Sequence, residues 1–327
     1  MCKRQALTRA LAVGLLPVLA GLIWLTAAGC HAVAGPEGPA TRPVWERIDQ
    51  PSVVACGGCH QEVYQEWAES LHHGAWTNAN VLNATRNFTR EECRSCHSPM
   101  PVLLHGLDRR PEFRDFNHDD GVHCLSCHGL VDGVAAARSI DDAPCRPRYE
   151  PRLLEARMCY PCHEPTHQAF AEYETSNAFA VGVRCVDCHM QPTKHRRGRS
   201  HGANGGLNPE FVKRALAWRC WLEEGEVRIQ LRNRCGHKFP GEIPSRSFVV
   251  RVTFPGHDPV YELLRKPHKR ESRDDNRLLP DETRVLRFPL PRGVSSAEVR
   301  LLFKPLPLMP EAQSFLLGEW SSKKQGQ

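Results

Sequence analysis

Five copies of one short cysteine–histidine pattern constrain this chain more than any other feature of it. They are Cys56-Gly-Gly-Cys59-His60, Cys93-Arg-Ser-Cys96-His97, Cys124-Leu-Ser-Cys127-His128, Cys159-Tyr-Pro-Cys162-His163 and Cys185-Val-Asp-Cys188-His189, which together use ten of the 15 cysteines. Two thiols three residues apart add to the two vinyl groups of one porphyrin, and the adjoining imidazole coordinates its iron. Zinc knuckles also use Cys-x-x-Cys units, but they share one ion between two units and need no His after each second Cys. Disulfides would explain the cysteines and leave the histidines without a reason. The pattern therefore predicts five covalently attached haem c groups. Cys56, Cys59, Cys93, Cys96, Cys124, Cys127, Cys159, Cys162, Cys185 and Cys188 are the attachment points, and His60, His97, His128, His163 and His189 the first iron ligands.

The motifs leave roughly 30 residues per haem, too little chain to wrap each porphyrin in a hydrophobic core of its own. The expected fold is a mainly α-helical and irregular multihaem domain whose core is the haem stack, followed by a small antiparallel β-sandwich. The β expectation starts near residue 209. There Val227, Ile229 and Leu231 alternate with polar residues, and Phe248–Phe254, Val285–Phe288 and Val299–Phe303 add further strand-like runs. A Lys/Arg/Asp-rich connection is expected over 262–280. Cys220 and Cys235 flank the first run and offer a disulfide in an oxidising compartment, while Cys145 is left single.

Six-coordinate irons need five more ligands. Gln61–Trp76 reads as a helix with Val63, Trp67 and Leu71 as its apolar stripe. His72 would then stand about 18 Å along that helix from His60, too far to bind the same iron. His72 or His73 must therefore serve a different haem. His105, His118, His123, His167, His195, His201 and His237 are the other spare imidazoles near the motifs.

Cys56-Gly-Gly-Cys59-His60, followed by Tyr64, Trp67, Ser70 and His72, resembles the opening of the cytochrome c-554-like multihaem family. The later strings Gly121-Val122-His123-Cys124, Cys127-His128-Gly129 and Cys185 to Met190, then the Gly-rich segment around His201, continue the resemblance over most of 52–303. It implies that His72, His201 and His237 are distal ligands. His237 lies in Gly236-His237-Lys238-Phe239-Pro240-Gly241 and would reach back from the β domain. Glu242 departs from the family pattern after that turn. His105, His123 and His167 receive no assignment, and the choice between His72 and His73 stays open.

The N-terminus directs the chain out of the cytoplasm. Lys3, Arg4 and Arg9 precede an apolar run from Ala10 to Ala28, the layout of a secretory leader. Thr26-Ala27-Ala28-Gly29-Cys30 resembles a lipobox, Ala32-Val33-Ala34 offers an ordinary cleavage site, and the uncleaved run is long enough to span a bilayer. The domain plan is thus a leader or anchor over 1–34, a pentahaem domain over 35–208, a β domain over 209–305 and a tail over 306–327. Lys+Arg number 43 against 37 Asp+Glu, and the leader holds three of the basic residues. A near-neutral mature chain gives no footing for nucleic-acid binding.

These features describe an electron carrier working between redox protein partners, in the periplasm or on the outer face of a bacterial membrane. The alternative is a multihaem oxidoreductase acting on a small nitrogen or sulfur compound at one open-faced haem. All five motifs end in His, which favours the carrier. If Cys30 carries a lipid, Cys30→Ala releases the protein from membranes into the soluble exported fraction on cell fractionation. Unchanged attachment would rule that anchor out.

Overall fold

The computed structural model describes residues 53–323 apart from Ser245, Lys269, Pro307 and Leu308, with the side chains of 165–167 also set aside. The leader, Cys30 and residues 324–327 lie outside the described residues, as does the His167 side chain.

Up to residue 215 the chain is a series of short helices. In order they are α1 (Val53–Gly57), α2 (Gln61–Ala68), α3 (Ala79–Thr85), α4 (Glu91–His97), α5 (Val102–His105) and α6 (Cys124–His128). After them come α7 (Tyr160–His167), α8 (Ala169–Glu174), α9 (Asn177–Ala180), α10 (Cys185–His189) and α11 (Pro209–Ala215). The brevity follows from the motifs. A Cys-x-x-Cys-His segment needs one helical turn, because positions i, i+3 and i+4 share a helix face, so both thiols and the imidazole point the same way. Four motifs lie in or at the start of α4, α6, α7 and α10. The first is closed by His60 N–H donating to the Cys56 carbonyl at 2.9 Å.

The helix expected over Gln61–Trp76 stops at Ala68. Ser70 competes for the backbone there: its N–H donates to the Trp67 carbonyl at 2.9 Å, and its hydroxyl accepts from His73 N–H at 3.3 Å. The chain then tightens into a 3-10 turn at His73–Ala75. Trp67 is buried, but Leu71 is 43% exposed, so the apolar stripe ends with the helix.

A small sheet that the sequence reading did not anticipate joins β1 (Gly129–Leu130) antiparallel to β2 (Gly133–Ala136), and β2 parallel to β3 (Pro147–Tyr149). The apolar clusters in this part of the molecule are small. Val102, Leu103, Ala135 and Met158 form one, and a second surrounds Leu125.

From residue 216 two larger sheets take over. β4 (Leu216–Glu223), β5 (Glu226–Asn233) and a strand at Thr283–Pro289 form one in the order given; Ser247–Thr253 (β6), Val260–Arg265 (β7), Thr283–Pro289 (β8), Glu298–Lys304 (β9) and Phe315–Ser321 (β10) complete the set. The second sheet runs β10-β9-β6-β7, and both are antiparallel throughout. Glu224 and Gly225, both at positive φ (53° and 76°), make the two-residue turn between β4 and β5, the geometry whose twist matches an antiparallel hairpin. Inward side chains from both sheets, among them Val227, Ile229, Leu231, Val250, Val252, Val299 and Leu301, belong to one buried cluster. Gly318 on β10 leaves the space that the Trp218 indole of β4 occupies.

Three details differ from the sequence reading. The expected 262–280 connection begins inside β7, which pairs with β6 from Ser247 to Val252. β structure continues past residue 305, because β10 pairs with β9. Cys220 and Cys235 are both free. In the β4–β5 register Leu216 faces Asn233, so Cys235 lies beyond the far end of β4. At about 3.3 Å per residue, it is well outside the roughly 7 Å Cα limit of a disulfide.

An ion-pair network holds α8 to the loops of the β part. Arg277, 3% exposed, donates to Glu172 at 3.2 Å, to Asp275 at 2.7 Å and to Glu242. Glu172 also accepts from Lys238 N–H at 2.9 Å, and Glu242 pairs with Lys266 at 2.6 Å. Burial and then the neighbouring Glu242 push Glu172 up to about 7. Glu242 stays below the usual carboxylate range despite its burial, through bonds from Glu172, Lys266 and Arg277. Among the described residues no helix is long and apolar enough to cross a membrane.

Ile229→Ala, at a fully buried position of β5, is expected to cost about 2–5 kcal/mol in chemical denaturation of the holoprotein. A second expectation concerns pH. Because Glu172 is raised in the folded state, its contribution is present at low pH and lost as pH rises through about 7. Glu242 titrates below this window and stays ionised across it. Denaturation midpoints should therefore fall less between pH 5 and pH 8 in Glu172→Gln than in wild type; equal falls would contradict the raised value.

Candidate functional site

The motifs converge although they are spread through the sequence. The Cys56 thiol lies beside that of Cys124, Cys96 beside Cys162, and Cys159 beside Cys185. Spatial neighbours are thus the first and third motifs, the second and fourth, and the fourth and fifth. Among the described residues no three His, Cys, Asp or Glu side chains gather into one cluster of the kind a zinc knuckle needs.

Three imidazole pairs stand out. The ring centres of His72 and His163 are 6.5 Å apart, those of His128 and His201 6.1 Å, and those of His189 and His237 6.2 Å. An iron bound on opposite faces by two imidazole nitrogens at about 2 Å each holds the ring centres roughly 6 Å apart. All three separations fit an intervening haem iron. Each pair joins the His of one motif to one of the histidines that the family resemblance singled out.

The tautomers fit as well. Nδ1 of His97, His128 and His189 lies 2.6 Å from the carbonyls of Ala75, Ala135 and Asn204 respectively. Nδ1 of His201 and His237 faces the carbonyls of Arg199 at 3.0 Å and Lys238 at 3.2 Å. A carbonyl only accepts, so Nδ1 carries the hydrogen and Nε2 keeps its lone pair for a metal. Burial also holds these rings neutral, with His201 and His237 both lowered to about 4. His72, His97, His128 and His189 are lowered in the same direction, again by burial first.

The sequence around each paired histidine explains its position. Trp67 donates its indole N–H to the Val122 carbonyl at 2.9 Å, and Val122 N–H donates to the His72 carbonyl at 2.9 Å. Gly121, at φ +56°, packs directly on the His72 and His73 carbonyls, where any Cβ would collide. Between His72 and His73, the structure brings His72 to His163. His73 instead donates Nδ1–H to the Ala68 carbonyl at 2.8 Å and packs on Trp67. Glu66 of α2 accepts from His201 N–H at 2.8 Å and from Arg196 at 2.5 Å, which fastens the His201 loop. Buried Asn233 donates to the His237 carbonyl at 2.9 Å, and Glu242 anchors the following turn through the Arg277 network.

His123 has a different task. Its Nδ1 accepts from Leu125 N–H at 3.0 Å, capping α6, so its Nε2 carries the hydrogen and cannot ligate. His105 and His118 each bury an Nε2 with no hydrogen-bond partner among the described residues. Nδ1 of His105 faces Glu112 at 3.2 Å, which leaves its Nε2 a lone pair suited to a metal. His118 stacks in an aromatic cluster with Trp76 and Phe113. His195 is on the surface, 3.5 Å from Glu62. His60 is exposed at the start of α2, and His97 packs edge-on against Phe88.

Residues 55–129 match the family described as cytochrome c554 and c-prime. The fold is similar to the crystal structure of a penta-heme cytochrome c552 from Thermochromatium tepidum, with a TM-score of 0.64 and 18% sequence identity over 83% of this chain and 98% of that one. No curated protein matches the chain. The matched segment holds the first three attachment motifs, and the chain shares the fold of that penta-heme cytochrome over most of its length.

Proposed function

We propose that this chain is an exported pentahaem electron carrier passing electrons between redox protein partners. The observation that carries the reading is the set of three imidazole pairs spaced 6.1–6.5 Å between ring centres. Such spacing fits an iron capped on both faces, which suits electron transfer and would leave no face open to a substrate. In this reading the ten motif cysteines hold five haems, and His60, His97, His128, His163 and His189 are the proximal ligands. His72, His201 and His237 would hold three of the irons together with His163, His128 and His189 respectively.

Bound haem supplies a one-electron ferric/ferrous couple whose potential depends on axial ligands and burial. The protein's part is to fix the imidazoles. Carbonyl acceptors select the Nε2-ligating tautomer at His97, His128, His189, His201 and His237, and burial keeps those rings neutral. No proton donor or substrate pocket is needed. The leader and the expected thioether attachment both support work outside the cytoplasm, and membrane association would depend on the fate of Cys30 and the apolar run.

Mass spectrometry of the mature protein is expected to show five covalent haems. In electron paramagnetic resonance of the oxidised protein, His237→Ala should convert one low-spin haem to high-spin while all five stay attached through their thioethers. An unchanged spectrum would remove His237 from the ligand set. A wild-type haem that is high-spin and binds azide would instead favour the oxidoreductase alternative.

A further inference from the structure

Arg246, just before β6, is a cation that no carboxylate pairs with among the described residues. Its Nε donates to the Pro305 carbonyl at 3.3 Å. The guanidinium lies over Gly206, where an added Cβ would sit 2.7 Å from Cζ and 2.9 Å from both terminal nitrogens, and beside Gly241, where it would sit 3.2 Å from Nη1. Two bare glycines thus make room for one charged group.

Their positions are informative. Gly206 lies two residues beyond Asn204, whose carbonyl holds Nδ1 of His189 at 2.6 Å. Gly241 closes the turn that begins at His237. The guanidinium is therefore wedged between the two segments that hold the rings of a single imidazole pair.

The two fully buried arginines, Arg277 and Arg114, have most of their donors met, although Nε of Arg114 has no hydrogen-bond partner among the described residues. Arg277 meets three carboxylates. Arg114 donates to the carbonyls of Phe116, Asn117 and Gly121. No carboxylate pairs with Arg246 among the described residues, and Glu242, the nearest acid in sequence, is committed to Lys266 and Arg277. Burial accordingly lowers Arg246 to about 10, with no acid to offset it. A desolvated, unpaired cation is costly, and a haem carries two carboxylates on its propionate edge. A guanidinium binds such a group through two parallel hydrogen bonds.

We infer that Arg246 is a positioning residue that pairs with a propionate of the haem held by Cys185, Cys188, His189 and His237, orienting that haem and raising its potential. The inference rests on the proposed ligation of that haem.

The test is spectroelectrochemical titration of the holoprotein carrying Arg246→Gln. Removing the cation makes adding an electron harder. One haem should shift about tenfold toward the oxidised form at fixed potential, a fall of about 59 mV for a one-electron couple, with five haems attached and spin states unchanged. Five unmoved potentials in such a protein would overturn the inference. If Arg246→Gln does not mature, Arg246→Lys keeps the charge but loses the two-pronged contact. Infrared spectra with 13C-labelled propionate carboxyls should then show one band displaced from its wild-type position, and identical bands would overturn the pairing. Wild-type peptide mapping separates the two levels: no haem on Cys185 and Cys188 would instead defeat the underlying assignment.

Discussion

Too few apolar side chains lie between residues 53 and 208 to close a core around so many short helices. The cluster formed by Val102, Leu103, Ala135 and Met158 contrasts with the continuous one shared by the two later sheets. Fixing each backbone residue costs about 1–2 kcal/mol in conformational entropy, and short helices gain little on their own. Porphyrin surface is the apolar material that the haem part needs to meet that cost. The sheets need no such help, since β5, β6 and β9 supply alternating inward side chains. They can therefore act as a fixed platform from which the His237 turn reaches the imidazole of the fifth motif.

That platform is joined to the haem part by charge. Arg277 and Lys238 on one side and Glu172 of α8 on the other form a partly buried network, and Glu242 belongs to it. The residue that departs from the family pattern after the turn is thus tied into the molecule by Lys266 and Arg277. Breaking one partner of such a network leaves an uncompensated charge, which costs more than the intact pair contributes.

Much of the candidate site was legible from spacing alone, because Cys-x-x-Cys-His is a local constraint that one helical turn satisfies. The distal histidines were less so. His72, His201 and His237 came from resemblance, and no periodicity links them to His163, His128 or His189, since tertiary packing makes those pairs. The choice of His72 over His73 depends on the turn that Ser70 introduces, and the sequence pattern alone had continued that helix to Trp76. Strands β4 and β7 were missed for a similar reason: Trp218, Cys220 and Trp221 do not alternate cleanly with polar residues, and β7 lies beside a charged run. The disulfide expected between Cys220 and Cys235 failed on register, which sequence proximity cannot reveal.

The order of motifs along the chain also differs from their order in space. Thiol contacts join the first motif to the third and the second to the fourth, and the fourth also meets the fifth. The fourth is consequently a junction, and its His163 is the one that faces His72 from the segment after the first motif. A chain that crosses itself in this way ties early residues to late ones through imidazole pairs as well as through backbone packing. Changing a paired histidine therefore acts on two sequence-distant segments at once, while the thioethers would keep the corresponding haem in place. On the proposed ligation, attachment and arrangement are separable: the cysteines would fix where each haem is joined to the chain, and the distant imidazoles how the motifs are assembled around one another.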